Sequence, residues 1–351
     1  MTTHWWGTYP FDGLGAPTGT GEGLWRQRGT AAEQVLDLPA PSFVVAHPDV
    51  PVLYAVSEAD ITKVHAVSIA DADSPALMGS VTTGGAAGCH LLLSRDGLTL
   101  YVAHYASGDL AVIPLLSTGE FAEDAPAQVF GHGGSGPRED RQEAPHAHHV
   151  GYAPGDSHLV VADLGTDELR AYAVDPDGTL REDGIAATLP PGSGPRHFVV
   201  RGELIYLVCE LDHMLRTLRW DRASATAQVI HEHPTTLAPQ RTGDAVYDAH
   251  VDVVGDVLLV SVRGCDVISV FDLSPEGHAT YRAAFDSGYW PRHFAVVRET
   301  LVVGNEKGHA VRVFDLADVL TLPPETEAGA IAQLDSEVTA IRSPACIVAT
   351  P

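Results

Sequence analysis

Apolar residues come in short runs along this chain, and the runs come in pairs. GPRHFVV (194–200) is followed by a three-residue turn and then by LIYLVCEL (204–211). YWPRHFAVV (289–297), a turn near 298–300 and LVVGNE (301–306) repeat the layout. So do PHAHHVGYA (145–153), a turn at 154–157 and HLVVADLG (158–165). The runs are rich in β-branched and aromatic residues, and none sustains a 3.6-residue period, so they predict strands rather than helices. A strand–turn–strand hairpin leaves both of its open ends on the same side. The polar residues that open each first run and close each second run are therefore expected on one face of the molecule.

The second runs align as VLYAVSE, TLYVAHY, HLVVADLG, LIYLVCEL, VLLVSVRG and TLVVGNE, beginning at Val52, Thr99, His158, Leu204, Val257 and Thr300. A third run follows most of them: DLAVIPL (109–115), ELRAYAV (168–174), VISVFDL (267–273) and AVRVFDL (310–316). A repeat of roughly 40 to 50 residues carrying about four strands marks a β-propeller blade. Six copies are visible. HWWGTYP (4–10), GLWRQRG (23–29) and the C-terminal SPACIVA (343–349) supply the parts of a seventh. Pairing the two ends of the chain would close the ring and remove an exposed sheet edge. The expected architecture is all-β: a single seven-bladed propeller over 1–351, with four-stranded blades and an insertion at about 117–144. A parallel β-helix, whose repeats are shorter, is the alternative.

Composition narrows the partners. The formal net charge is −25, from 46 acidic and 21 basic residues. Such a chain repels nucleic-acid phosphates and anionic membranes, so neither is an expected partner. No run of 18 apolar residues supports a membrane span. MTTHWWGTYP lacks the basic and apolar segments of a secretory signal. Cys89, Cys209, Cys265 and Cys346 form no C-x-x-C pair and read as buried thiols of a cytoplasmic protein. The expected state is a monomer or weak homo-oligomer.

In a propeller the first strand of each blade lines a central channel. The starts of these strands and the ends of the second strands border its mouth. Glu58, His90, His104, His146, His148, Asp163, Arg196, His197, Glu210, Asp248, His250, Arg263, Arg292, His293 and Glu306 all fall there. Asp163 and Asp248 are expected to orient neighbours. In the two Arg-His-Phe runs, alternation is expected to turn one of each Arg–His pair away from the channel, between blades. Several arginines around one axis of an acidic protein suit a small anionic ligand. His146 and His148 could share a strand face, but no companion pair has the spacing of a zinc site. No metal or cofactor is expected. There is no G-x-S-x-G elbow and no P-loop, and GHGGSGP (131–137) reads as a flexible insertion.

These residues together resemble the seven-bladed β-propeller lactonase family, which holds propeller-type 6-phosphogluconolactonases and carboxy-cis,cis-muconate cyclases. The resemblance runs through WGTY, PSFVVAHPD with LYAVSE, GCHLLLSRDG with LYVAHY, and PHAHHVGYAPG with VVADLGTDEL. It continues through GPRHFVV with VCEL, DAHVDV with VSVRGCDVISVF, and PRHFAV with VGNE. His104, Cys209 and Val262 stand where the family usually has Asn, and Glu306 where it has Gln. The resemblance places a catalytic site on His148, Arg196, Glu210 and Arg263, with His146 and Arg292 nearby to bind substrate; His90, His250 and Glu306, from their places at the mouth, are expected as further substrate contacts. It implies hydrolysis of an anionic sugar lactone: 6-phosphoglucono-δ-lactone to 6-phosphogluconate, in the pentose phosphate pathway. The alternatives are a muconate-type cyclisation, another lactone, or a non-catalytic binding propeller.

Overall fold

The computed structural model describes residues 2–9, 23–241 and 243–351. Seven antiparallel sheets follow one another around an axis. Their innermost strands are Pro41–Ala46, Gly88–Leu93, Ala147–Tyr152, Pro195–Arg201, Tyr247–Val254, Pro291–Val297 and Pro344–Thr350, here blades 1 to 7. Six sheets have four strands. Blade 5 gains a fifth, the two residues Ile331–Ala332, paired in parallel. This rules out the β-helix. Proline opens four of the inner strands, the position in a sheet where its missing N–H costs least.

Blade 7 closes the ring as the two chain ends predicted. Its innermost strand is C-terminal, and Thr3–Thr8 pairs beside it, with Trp5 opposite Val348 and Trp6 opposite Ile347. The two tryptophans wedge the closure from both sides. Trp5 packs with Leu53 and Cys346 towards blade 1, and Trp6 packs with Val302 and Ile341 towards blade 6. Each indole also hydrogen-bonds, Trp5 Nε1 to Thr350 Oγ1 at 2.9 Å and Trp6 Nε1 to Gln27 Oε1 at 2.8 Å. Pro10, the last residue of the opening motif, lies outside the described residues.

The hydrophobic core is divided into seven clusters, one in each gap between neighbouring blades. Faces of successive sheets thus bury each other, and the channel side of each inner strand is left for polar residues. The segment expected as an insertion is partly structural, because Gln128–Phe130 is the outer strand of blade 2. All four cysteines are buried and free. Among the described residues, no helix is long and apolar enough to cross a membrane.

Every inner strand carries a β-bulge near its start. The extra residue falls between Pro41 and Phe43, Gly88 and His90, Ala147 and His149, Pro195 and His197, and Pro291 and His293. In blade 5 the bulge is at Ala249–His250, and in blade 7 it is at Ala345. A bulge sets two residues against one and re-aims their side chains. It decides what faces the channel.

Candidate active site

The bulge places two successive side chains on the channel side of a strand, one above the other. The upper position holds His148, Arg196 and Arg292, and the lower holds His149, His197 and His293. Arg196 with His197, and Arg292 with His293, line one and the same cavity. The expectation that one member of each Arg–His pair packs between blades is therefore incorrect. Strict alternation fails where the ladder skips a residue.

At the mouth is an open cavity of about 410 Å³. Its cationic wall is Arg141, Arg196, Arg263 and Arg292, its aromatic wall Tyr105, Tyr247 and Trp290, and His148, Glu58 and Glu210 complete it. His148, Arg196, Glu210 and Arg263, the four residues expected to carry catalysis, thus come together, and Arg292 joins them. The other expected substrate contacts do not line this cavity. His146 stacks on Tyr105 at 4.4 Å and is held by the Tyr105 carbonyl and by Glu143. His90 and His250 sit one tier lower, and Glu306 lies buried behind Arg292, 3.0 Å from its Nη1. Asp163 accepts from the backbone N–H groups of His146, Gly165 and Thr166, and Asp248 from Thr235, so both orient neighbours as expected.

Glu210 organises the cationic wall. It closes the second strand of blade 4, and its Oε2 accepts from Arg196 Nε at 2.8 Å and from Arg263 Nη2 at 2.7 Å. Its Oε1 accepts from Arg141 Nη2 at 2.5 Å. Arg196 also donates to the Ala249 carbonyl, and Arg263 to those of Tyr247 and Asp248. Burial alone would push the Glu210 carboxyl up. The charges of Arg263, Arg141 and Arg196 overcome that and hold it well below the usual carboxylate range. His148 shows the opposite balance for a base. Burial and the Arg196 charge hold it well below the usual histidine value, so it is a neutral imidazole at pH 7.

The cavity is cationic in a strongly acidic protein. Four guanidiniums face Glu58, Glu210 and Glu306, an excess that persists even with every one of those acids ionised. Arg141 and the three aromatic residues were not anticipated. Arg141 lies in PREDRQE (137–143), where nothing distinguishes it from surface charge. Yet this part of the supposed flexible insertion is pinned: Gln142 is buried and donates to Asp167 Oδ1 and the Leu164 carbonyl. Trp290 is held at a positive φ of 67°, unusual for so bulky a residue, with its N–H bonded to Asp266 Oδ1. Arg141 and Arg263 lie over the Tyr247 ring at 5.2 and 5.6 Å.

Below the cavity, six aromatic side chains close a collar around the channel. Successive ring centroids from Phe43 to His90, His149, His197, His250, His293 and back to Phe43 lie 4.3, 4.1, 4.9, 5.3, 4.1 and 5.7 Å apart. His197 and His250 meet through their Nδ1 atoms at 3.0 Å, so one of the two must carry the shared proton. Among the described residues, no three His, Cys, Asp or Glu side chains converge in a metal-binding geometry.

A family model described as "Lactonase, 7-bladed beta-propeller" matches residues 26–348. A Bacillus subtilis 6-phosphogluconolactonase is 29% identical over 300 residues, 82% of this chain and 84% of its own. Among solved structures, a periplasmic gluconolactonase of Pseudomonas aeruginosa superposes with a TM-score of 0.81 at 24% identity, covering 100% of this chain and 99% of that one. A Lactobacillus plantarum protein superposes with a TM-score of 0.83 at 22% identity over the whole of both chains. At those identities the structures speak for the fold alone. The family match spans nearly the whole chain, and the chain belongs to the seven-bladed β-propeller lactonase family.

Proposed function

We propose that this protein hydrolyses an anionic sugar lactone, with 6-phosphoglucono-δ-lactone as the preferred substrate and 6-phosphogluconate as the product. The observation that carries this reading is the cavity walled by four arginines in a chain of net charge −25. A guanidinium fork grips phosphate and carboxylate oxygens and also stabilises a developing oxyanion. The Bacillus subtilis relative supports the phosphorylated lactone. The four buried free cysteines suit a reducing, cytoplasmic setting.

In this reading His148 is the general base. It is neutral at pH 7 and can take a proton from the attacking water. Both oxygens of Glu210 already accept from arginines, so its part is to fix them rather than to take a proton from water. Arg196 and Arg263 stabilise the tetrahedral oxyanion, and Arg292 and Arg141 receive the substrate's anionic group. The ring C–O bond then breaks, and the alkoxide leaves as the new hydroxyl.

Arg196 tests the assignment. Its ion pair with Glu210 could be merely structural, and the two roles predict different losses. Arg196→Ala is expected to lower kcat/KM for the lactone about 100-fold or more, with folding largely kept. Arg196→Lys should recover only part of it, because a point charge cannot reproduce the fork. Near-normal turnover by soluble, folded Arg196→Ala would remove this residue from the site.

A further inference from the structure

We propose that Glu58 is the proton donor to the departing alkoxide and that Tyr9 positions it. This rests on the lactone-hydrolysis reading above. Glu58 follows the second strand of blade 1 and lines both the mouth cavity and the smaller one of about 270 Å³ beside it. His148, Arg196 and Arg292 line both as well, so Glu58 faces the same space as the base and the oxyanion-binding groups.

The contacts of Glu58 differ from those of Glu210. Its Oε1 accepts from the Tyr9 hydroxyl at 2.8 Å. Its Oε2 is buried near the Ser42 hydroxyl, which makes no well-formed hydrogen bond with it, and meets no other side-chain partner among the described residues. Among the described residues, no guanidinium forms an ion pair with Glu58. The charges facing it are Arg292 and Glu306, which pair with each other, while Tyr9 lies under the Arg292 guanidinium at 4.7 Å. Cys89, His148, Arg196, His197 and His293 line the smaller cavity with Glu58, and Tyr105, Arg141, Glu210 and Arg263 the larger. Burial pushes the Glu58 carboxyl above the usual carboxylate range, against the pull of Arg292. An anion with an orphaned buried oxygen is costly, whereas a neutral carboxylic acid there lacks only an acceptor for its proton. The lactone ring oxygen can supply that acceptor.

Two carboxyls and one imidazole in a single cavity therefore sit in different surroundings: Glu210 is clamped by three guanidiniums, His148 is buried beside Arg196, and Glu58 is held by the Tyr9 hydroxyl with no arginine on its oxygens among the described residues. Separation of this kind assigns acid and base. The step balances. Water loses a proton to His148 as its oxygen bonds to the carbonyl carbon. The tetrahedral oxyanion then collapses, the ring C–O bond breaks with its electron pair on oxygen, and that oxygen takes the proton of Glu58. The proton held on His148 returns to Glu58 through water, and the product is the hydroxy acid.

The test varies the leaving group. An aliphatic δ-lactone expels an alkoxide and needs the donor. A carboxylated dihydrocoumarin expels a phenoxide and needs it far less. Glu58→Gln keeps the shape without the acid. It should lower kcat/KM about 100-fold on an aliphatic δ-lactone carrying a carboxylate, with a loss on the carboxylated dihydrocoumarin at least about tenfold smaller. The alkaline limb of the wild-type pH profile should disappear in Glu58→Gln. In Tyr9→Phe it should move to higher pH, because the lost hydrogen bond had favoured the carboxylate. Equal losses on both lactones, or an alkaline limb unmoved in both variants, would overturn the assignment. A wild-type protein inactive on both lactones would instead overturn the functional reading on which it rests.

Discussion

Replacing Glu210 with alanine is expected to cost about 3–5 kcal/mol of folding stability, because it leaves buried cations without their partner. One carboxylate holds Arg141, Arg196 and Arg263 at 2.5, 2.8 and 2.7 Å, and all four residues are nearly or wholly buried. Without it the guanidiniums repel one another and leave their places, so kcat/KM should fall by about 1,000-fold or more. Glu210→Gln should lose less stability than Glu210→Ala, since an amide oxygen still accepts from the arginines, yet it should lose most of the activity with the charge. Adding Arg141→Ala to Glu210→Ala should restore part of the stability by removing one uncompensated cation. Urea unfolding of the two single variants and the double variant would check the coupling. Strictly additive losses would mean that Arg141 and Glu210 are not a working pair.

The histidine collar should make the protein labile to acid. Burial and the Arg196 charge lower His149 and His293 to about 3, and burial holds His90, His197 and His250 well below the usual value. Below pH 6.5 the unfolded chain binds protons that the folded collar refuses, so stability is full above that pH and is lost as pH falls towards 3. From 6.5 unfolded to about 3 folded, each of His149 and His293 should subtract about 2 kcal/mol between pH 7 and pH 5. Buried Glu58, Asp248 and Asp252 are raised and act in the opposite sense, so the collar's share must be isolated by comparison. The wild type should lose about 4 kcal/mol more over that interval than a His149→Phe, His293→Phe variant. Parallel pH profiles for the two proteins would show that the collar accepts protons while folded.

The fold was legible because each level of the sequence repeats the same instruction. Paired apolar runs give hairpins, the spacing of the runs gives blades, and Trp5, Trp6 and Ile347 give the closure. The site was legible as far as hairpin geometry reaches. Residues that open a first strand or close a second do meet at one mouth, which gathers His148, Arg196, Glu210, Arg263 and Arg292. The tiers within the channel were not legible. A bulge leaves no mark on an apolar–polar pattern, so nothing in PRHF shows that Arg196 and His197 both face inward, or that His90 and His250 lie a tier too deep to line the mouth. Arg141 was hidden for another reason: it reaches Glu210 from a charged segment whose course depends on tertiary contacts such as those of Gln142.

The arginine-walled cavity is proposed to serve the hydrolysis of a lactone bearing an anionic group. The most direct measurement follows acid release by the purified protein from 6-phosphoglucono-δ-lactone and from neutral glucono-δ-lactone, each corrected for spontaneous hydrolysis. The predicted result is catalysis of the phosphorylated lactone with kcat/KM about 10- to 100-fold above that for the neutral one, the worth of one or two charge-assisted contacts. Hydrolysis of both at the spontaneous rate, or a preference for the neutral lactone, would contradict it.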